Sequence, residues 1–245
     1  MSRLKGAIMK MKRMRSGKSL DLSDHFISVF NKNAWKSGES FSGVGSTLDQ
    51  TVTLRRAMKD VISQLGIKSL LDVPCGDANW MRAENFFDIE YIGVDIVPQL
   101  ITFNSELNKN PTRASFLLGD FTSFDSNKSF DMVFCRDLFV HLSFADILKC
   151  FESMIRTQSK YLAVTTFTSV EKNLDITYPS GLESIIGWRP LNMQLAPFEL
   201  RNPVMILNEG CTEKEGSRTF DDKCIAIFSL EAIVEGRDKL RAFLE

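Results

Sequence analysis

The sequence predicts an α/β fold, a largely parallel sheet with helices on both faces. Three observations predict it. Leu70-Leu71-Asp72 is a short apolar run ending in an acid; it breaks into a turn at Val73-Pro74-Cys75-Gly76-Asp77-Ala78 and opens a helix at Asn79. That is the first strand, loop and helix of a nucleotide-binding unit. Tyr91-Ile92-Gly93-Val94-Asp95 repeats the apolar run ending in an acid, about twenty residues past the loop, the usual distance for a carboxylate that holds a ribose. From Lys68 to Phe167, strand-like and helix-like stretches then alternate, the mark of βαβ units.

In chain order, residues 24–46 begin with a short helical stretch and continue into the Gly/Ser-rich run Ser37-Gly38-Glu39-Ser40-Phe41-Ser42-Gly43-Val44-Gly45-Ser46, which must be a loop. His25 reads as a turn or surface residue. Ser46 is placed to cap the next helix, whose apolar residues Leu48, Val52, Met58, Val61, Ile62 and Leu65 recur at helical spacing before Gly66. Strands are then expected over 68–73, 90–94, 114–118, 130–135 and 160–167. Helices are expected over 79–86, over 98–107 with Pro98 in the first turn, and after a Ser143 cap. Residues 169–202 carry Pro179, Gly181, Gly187, Pro190 and Pro197 and read as a long irregular insertion, the kind of loop that is usually functional. Two strands, 204–207 and 224–230, joined by a polar loop, close the pattern.

Bulk composition narrows the classes. The chain has 245 residues, 44% hydrophobic and 25% charged, enough for one sizeable domain with a real core. A net charge of −1 argues against a general nucleic-acid binder. The five cysteines show no CxxC spacing, so neither a disulfide framework nor a zinc site is suggested, and no acid cluster suggests another metal. Cys75, Cys135 and Cys224 read as buried thiols. Such thiols fit a reducing cytoplasm, and no apolar run approaches the length needed to span a bilayer. The first eighteen residues hold seven Lys or Arg and no acid. They read as a solvated arm, or one touching an anionic surface. The division expected is an arm and cover segment over 1–46 and a main domain over 47–245.

The ordered motifs resemble the class I S-adenosylmethionine-dependent methyltransferases. Their first motif, acid-x-Gly-x-Gly-x-Gly, stands here as Asp72-Val73-Pro74-Cys75-Gly76-Asp77-Ala78, with Pro74 and Ala78 in place of the outer glycines. Asp95, Gly119-Asp120-Phe121 and Phe130-Asp131-Met132-Val133-Phe134-Cys135-Arg136-Asp137 match its later motifs in order, over roughly residues 68 to 168. The resemblance implies a Rossmann-like, mostly parallel seven-stranded sheet with an antiparallel C-terminal strand, and S-adenosyl-L-methionine as cofactor. It implies that Pro74, Cys75 and Gly76 approach the methionine portion, with Asp72 supporting the turn or meeting the amino group. Asp95 would accept the ribose hydroxyls. Asp120 would take the adenine amino group, with Ile96 and Phe121 around the ring. In this fold the segment before the first strand often covers the cofactor. Trp35-x-Ser37-Gly38-Glu39-Ser40 and Ser42-Gly43-x-Gly45-Ser46 are similar to runs in a subgroup linked to bacterial surface-sugar pathways, which implies a sugar, nucleotide-sugar or related small acceptor.

Active sites of open parallel sheets lie beyond the C-terminal strand ends. There the fourth strand ends at Arg136 and Asp137, with His141 a turn later. A hydroxyl acceptor must lose its proton, and His141 is the preferred base, with Asp137 as orienting partner or substitute. Arg136 pairs with Asp137 or binds an anionic group in the site. In the insertion, Tyr178, Trp188, Arg189 and Asn192 are candidate acceptor contacts, since aromatic faces stack on sugars and Arg and Asn bind hydroxyls or phosphates. Two other readings stay open: methylation of a macromolecule, disfavoured because Cys135-Arg136-Asp137-Leu138 stands where amino-methylating nucleic-acid enzymes carry Asn/Asp-Pro-Pro-Tyr/Phe, and a cofactor-binding partner protein without chemistry.

Overall fold

In the computed structural model, which describes residues 22–176 and 187–245, the alternation closes into one seven-stranded sheet. Its strands are β1 (Ser69–Asp72), β2 (Glu90–Asp95), β3 (Ala114–Leu118), β4 (Met132–Cys135), β5 (Tyr161–Phe167), β6 (Met205–Asn208) and β9 (Lys223–Ser229). Their order is β3-β2-β1-β4-β5-β9-β6. The first five are parallel, and β9 runs antiparallel between β5 and β6. Between β6 and β9 the polar loop contains a small hairpin, β7 (Lys214–Glu215) with β8 (Arg218–Thr219).

The strand order reverses between β1 and β4, so the loops after these two strands diverge to opposite faces and leave a crevice. The central strands are buried on both sides, which is why β4 and β5 read as unbroken apolar or β-branched runs. One core cluster gathers Leu71, Val133, Leu162 and Phe228 under α5 (Phe144–Thr157) and α6 (Leu230–Leu244). The other gathers Leu70, Met132 and Ile225 under α2 (Val52–Gln64) and α3 (Asn79–Ala83).

Most elements form where periodicity places them. α4 (Pro98–Leu107) starts on its proline, and the Ser143 hydroxyl caps α5 by accepting from the Asp146 amide at 3.1 Å. Four readings are corrected. Ser46 does not cap α2: it ends a single 3-10 turn, Val44–Ser46, and α2 begins at Val52 after Thr51. The helix after the Gly76 loop stops at Ala83 because Asn85 turns left-handed, φ 56°, into a second 3-10 turn, Phe86–Asp88. His25 is not on the surface: α1 (Leu22–Asn31) lays it against Phe26, 6% exposed. The chain from Leu230 leaves the sheet as α6, capped by Ser229.

Candidate functional site

The crevice is a cavity of about 530 Å³, in the size range of small-molecule and cofactor sites. Its floor is the loop after β1. Gly76 there has φ 54°, and a Cβ on it would lie 2.0 Å from the Ser42 hydroxyl, so the residue must be glycine. Ala78, in place of a glycine, takes φ 48°; the conformation is kept and the methyl group costs about 1 kcal/mol. Pro74 lines the cavity without offering an amide.

Asp95, at the end of β2, accepts from the Gly76 amide and the Val97 amide, each at 2.9 Å. It therefore fixes the loop while its remaining lone pairs face the cavity that it lines. Burial pushes its pKa up to about 6 against those amide bonds. Asp72 is bound by the Tyr91 hydroxyl, and burial lifts its pKa to about 7. At the far side Asp120 turns one oxygen to the Thr122 amide and hydroxyl, each at 2.8 Å, beside Ile96 and Phe121.

The roof is the Gly/Ser-rich loop. Asp77 accepts from the Phe41 amide at 2.7 Å and the Ser40 hydroxyl at 3.0 Å, and so latches the loop to the cavity floor. Glu39 holds the next turn, accepting from the Leu48 amide at 2.7 Å and the Asn79 side chain at 2.8 Å. Phe26, Phe30 and Trp35 complete the wall on this side.

The other end of the cavity lies above β4 and β5. Asp137 has φ 58°, a strained value for a side chain of its size, and is bound by Lys223 Nζ at 2.7 Å and Arg136 Nη1 at 3.3 Å. Burial would raise its pKa, but these two cations outweigh it and hold the carboxyl well below the usual range. Arg136 pairs with Glu209 at 2.7 Å and donates to the Gly45 carbonyl at 2.9 Å, tying the roof to the sheet. His141 is 9% exposed, and its Nδ1 donates to the Gly187 carbonyl at 2.8 Å, which leaves the lone pair on Nε2. Burial lowers its pKa, so the ring is neutral at pH 7.

Asp72, Pro74, Cys75, Gly76, Asp95, Ile96, Asp120, Phe121, Arg136, Asp137, His141 and Trp188 all line this one cavity. Arg189 and Asn192, the other candidate acceptor contacts, are not among its lining residues. Arg189 donates to the carbonyls of Phe139, Leu142 and Leu174, and Asn192 to those of Val170 and Thr168, so both hold the insertion together. Tyr178 lies outside the described residues. The sequence reading missed Lys223, Glu209, Glu213 and Phe220. The one signal it had was a lysine and an acid beside strand-like runs. All five cysteines are buried and free. Among the described residues no group of three His, Cys, Asp or Glu could hold a metal ion, and no helix is long and apolar enough to cross a membrane.

Residues 70–160 match a family model described as a methyltransferase domain. The match spans β1 to the end of α5 and so contains the cavity floor, the far acid and the His141 turn. The fold is similar to the N-methyltransferase NodS from Bradyrhizobium japonicum WM9, crystallised with S-adenosyl-L-homocysteine: 10% identity, TM-score 0.59, covering 85% of this chain and 98% of that one. It is similar too to magnesium protoporphyrin IX methyltransferase from Synechocystis PCC 6803: 12% identity, TM-score 0.54, covering 87% and 99%. Of a Galdieria sulphuraria protein named for sarcosine and dimethylglycine methylation the chain spans only 45%, at TM-score 0.41, and that match carries no weight. No curated protein matches the sequence significantly.

Proposed function

We propose that this chain is an S-adenosylmethionine-dependent methyltransferase that methylates a hydroxyl of a sugar-like small metabolite. One observation carries the reading: a single cavity joins the Asp72–Gly76–Asp95 floor and the Asp120 side to a neutral, buried histidine at the mouth of β4. Among the described residues its lining holds Asp72, Asp77, Asp95, Asp120, Asp137 and Glu213 against Arg136 and Lys223. That balance fits a cofactor with a sulfonium and an ammonium group.

S-adenosylmethionine supplies a methyl group already activated on its sulfonium. The chain must then bind, orient and exclude water, and positioning carries much of the rate. Asp95 would hold the ribose and Asp120 the adenine amino group, with Ile96 and Phe121 around the ring. Asp72 would face the amino group, and Pro74, Cys75 and Gly76 the methionine portion. His141 would take the acceptor proton on Nε2, with Nδ1 anchored by Gly187. Asp137 is held ionised by Lys223 and Arg136, so it orients and stabilises charge rather than receiving the proton. Trp188 offers an aromatic face to the acceptor.

The experiment is methyl transfer to a panel of hydroxylated sugars, followed as S-adenosylhomocysteine formation. The expected result is turnover that falls 100-fold or more in His141→Ala, about the size of a lost general base, while cofactor affinity stays within twofold. Turnover unchanged by that substitution would remove His141 from the chemistry. Cofactor binding with no turnover on any acceptor would favour the partner-protein reading.

A further inference from the structure

We infer that the wall built by Glu213, Phe220 and Trp188 recognises an acceptor that donates hydrogen bonds and carries no phosphate or carboxylate at its methylated end. The inference rests on the proposed methyl transfer for the word acceptor, but the wall itself is built from residues outside the matched methyltransferase region.

The hairpin β7–β8 brings the wall together. Glu213 immediately precedes it and Phe220 immediately follows, and the Phe220 amide donates to the Glu213 carbonyl at 3.1 Å. Trp188 packs edge-on to Phe220 at 5.3 Å and to Phe167 at 5.9 Å, so three rings brace one another at the cavity edge. The Glu213 carboxylate stands over the cavity against the roof. A Cβ on Gly45 would lie 2.8 Å from its Oε2, and its side-chain hydrogen bond is with the Cys211 thiol at 3.8 Å, a weak donor. Among the described residues no stronger donor reaches this carboxylate.

Cations are the other half of the argument. Among the described residues the only Lys or Arg lining the cavity are Arg136 and Lys223. Each side chain is 6% exposed and already paired, Arg136 with Glu209 and Asp137, Lys223 with Asp137 at 2.7 Å and Glu209 at 3.6 Å. Two cations answer two carboxylates, and Glu213 adds a third. The cation beside the wall itself, Arg218 over the Phe220 and Phe167 rings, is paired with Asp222 at 3.5 Å. A phosphate at Glu213 would therefore meet uncompensated negative charge and, among the described residues lining the cavity, no unengaged cation, whereas hydroxyl or ammonium donors satisfy Glu213.

Three matched probes test this on the full chain, with and without S-adenosylhomocysteine: methyl α-D-glucopyranoside, D-glucosamine and D-glucose 6-phosphate. Binding is read by saturation-transfer NMR and by the Trp188 indole resonance, assigned with Trp188→Phe. The expected result is that the glucoside or glucosamine perturbs Trp188 and the phosphate does not. The two first probes separate hydroxyl from ammonium recognition. Glu213→Gln should weaken the better probe by about tenfold, the scale of one charge-assisted hydrogen bond, and Phe220→Ala should weaken it independently of charge. Preferential binding of the phosphate, no probe reaching Trp188, or a Glu213→Gln protein with unaltered preference would each overturn the inference. Failure of S-adenosylhomocysteine to bind would instead strike the cofactor reading, because the probe preference is also read without it.

Discussion

Asp72 and Asp95 set how the site responds to pH. Both carboxyls end strands, both are buried, and burial lifts their pKa values to about 7 and about 6. A raised folded-state pKa means that the native state binds protons more tightly than the unfolded chain. These two groups therefore favour folding fully below about pH 4, and that contribution is lost as pH rises through 6 and 7. A cationic ligand should reverse the penalty by drawing both acids into their ionised form. Titration of S-adenosylmethionine at pH 6.5 in buffers of different ionisation enthalpy should show net proton release, less for S-adenosylhomocysteine, which lacks the sulfonium charge. Equal heats in all buffers would contradict this. Asp95→Asn should weaken cofactor binding at least tenfold, about 1.4 kcal/mol, by replacing a carboxylate with an amide that cannot accept from the Gly76 and Val97 amides and the ribose together. Affinity unchanged in that variant would sink the assignment. The residues of this end were legible because each acid closes a strand in a fixed order. Those of the other end were not: Lys223 and Glu209 lie 86 and 72 residues from Asp137 in the chain, outside every motif, and the antiparallel insertion of β9 brings them to it.

At the scale of elements, the roof is held by few bonds. Asp77 receives the Ser40 hydroxyl and the Phe41 amide, and each such bond contributes about 1 kcal/mol net. Asp77→Ala should therefore raise the cofactor dissociation rate about tenfold and open residues 36–46 to proteolysis, read by stopped-flow displacement and limited trypsin digestion. An unaltered dissociation rate would show that the loop does not close the site. The sequence marked this run as a loop by its glycines and serines, but the latch depends on Asp77, which sequence pattern treats as part of the turn. Ser46 shows the same blindness from the other side. It carries cap chemistry, yet its hydroxyl accepts from Arg136 at 3.3 Å instead, because the 3-10 turn places it over the sheet. The α6 start was hidden because the Cys224–Leu230 run stays apolar past the Ser229 cap.

For the whole molecule, Arg136 joins parts that are distant in sequence: β4, the roof at Gly45 and Ser46, and Glu209 beyond β6. Glu209 is 1% exposed, so Arg136→Met would leave a buried carboxylate short of its partner. A loss of roughly 3–5 kcal/mol in denaturant unfolding is expected, the range for breaking a buried pair from one side. A loss under about 1 kcal/mol would mean that Lys223 alone satisfies Glu209. Gly236 in α6 gives a second global reading. A Cβ there would lie 2.2 Å from Leu200 Cδ2 and 2.9 Å from the Phe198 carbonyl, so Gly236→Ala should destabilise by about 1–3 kcal/mol despite its better helix propensity. The parallel strands were legible because they leave apolar runs, and the order of motifs carried their arrangement.

The claim on which the rest depends is that this cavity binds S-adenosylmethionine. Calorimetric titration of the full chain with S-adenosylmethionine and S-adenosylhomocysteine tests it most directly. Micromolar binding of both, at one site and weakened by Asp95→Asn, is the predicted result; binding of neither would contradict the account.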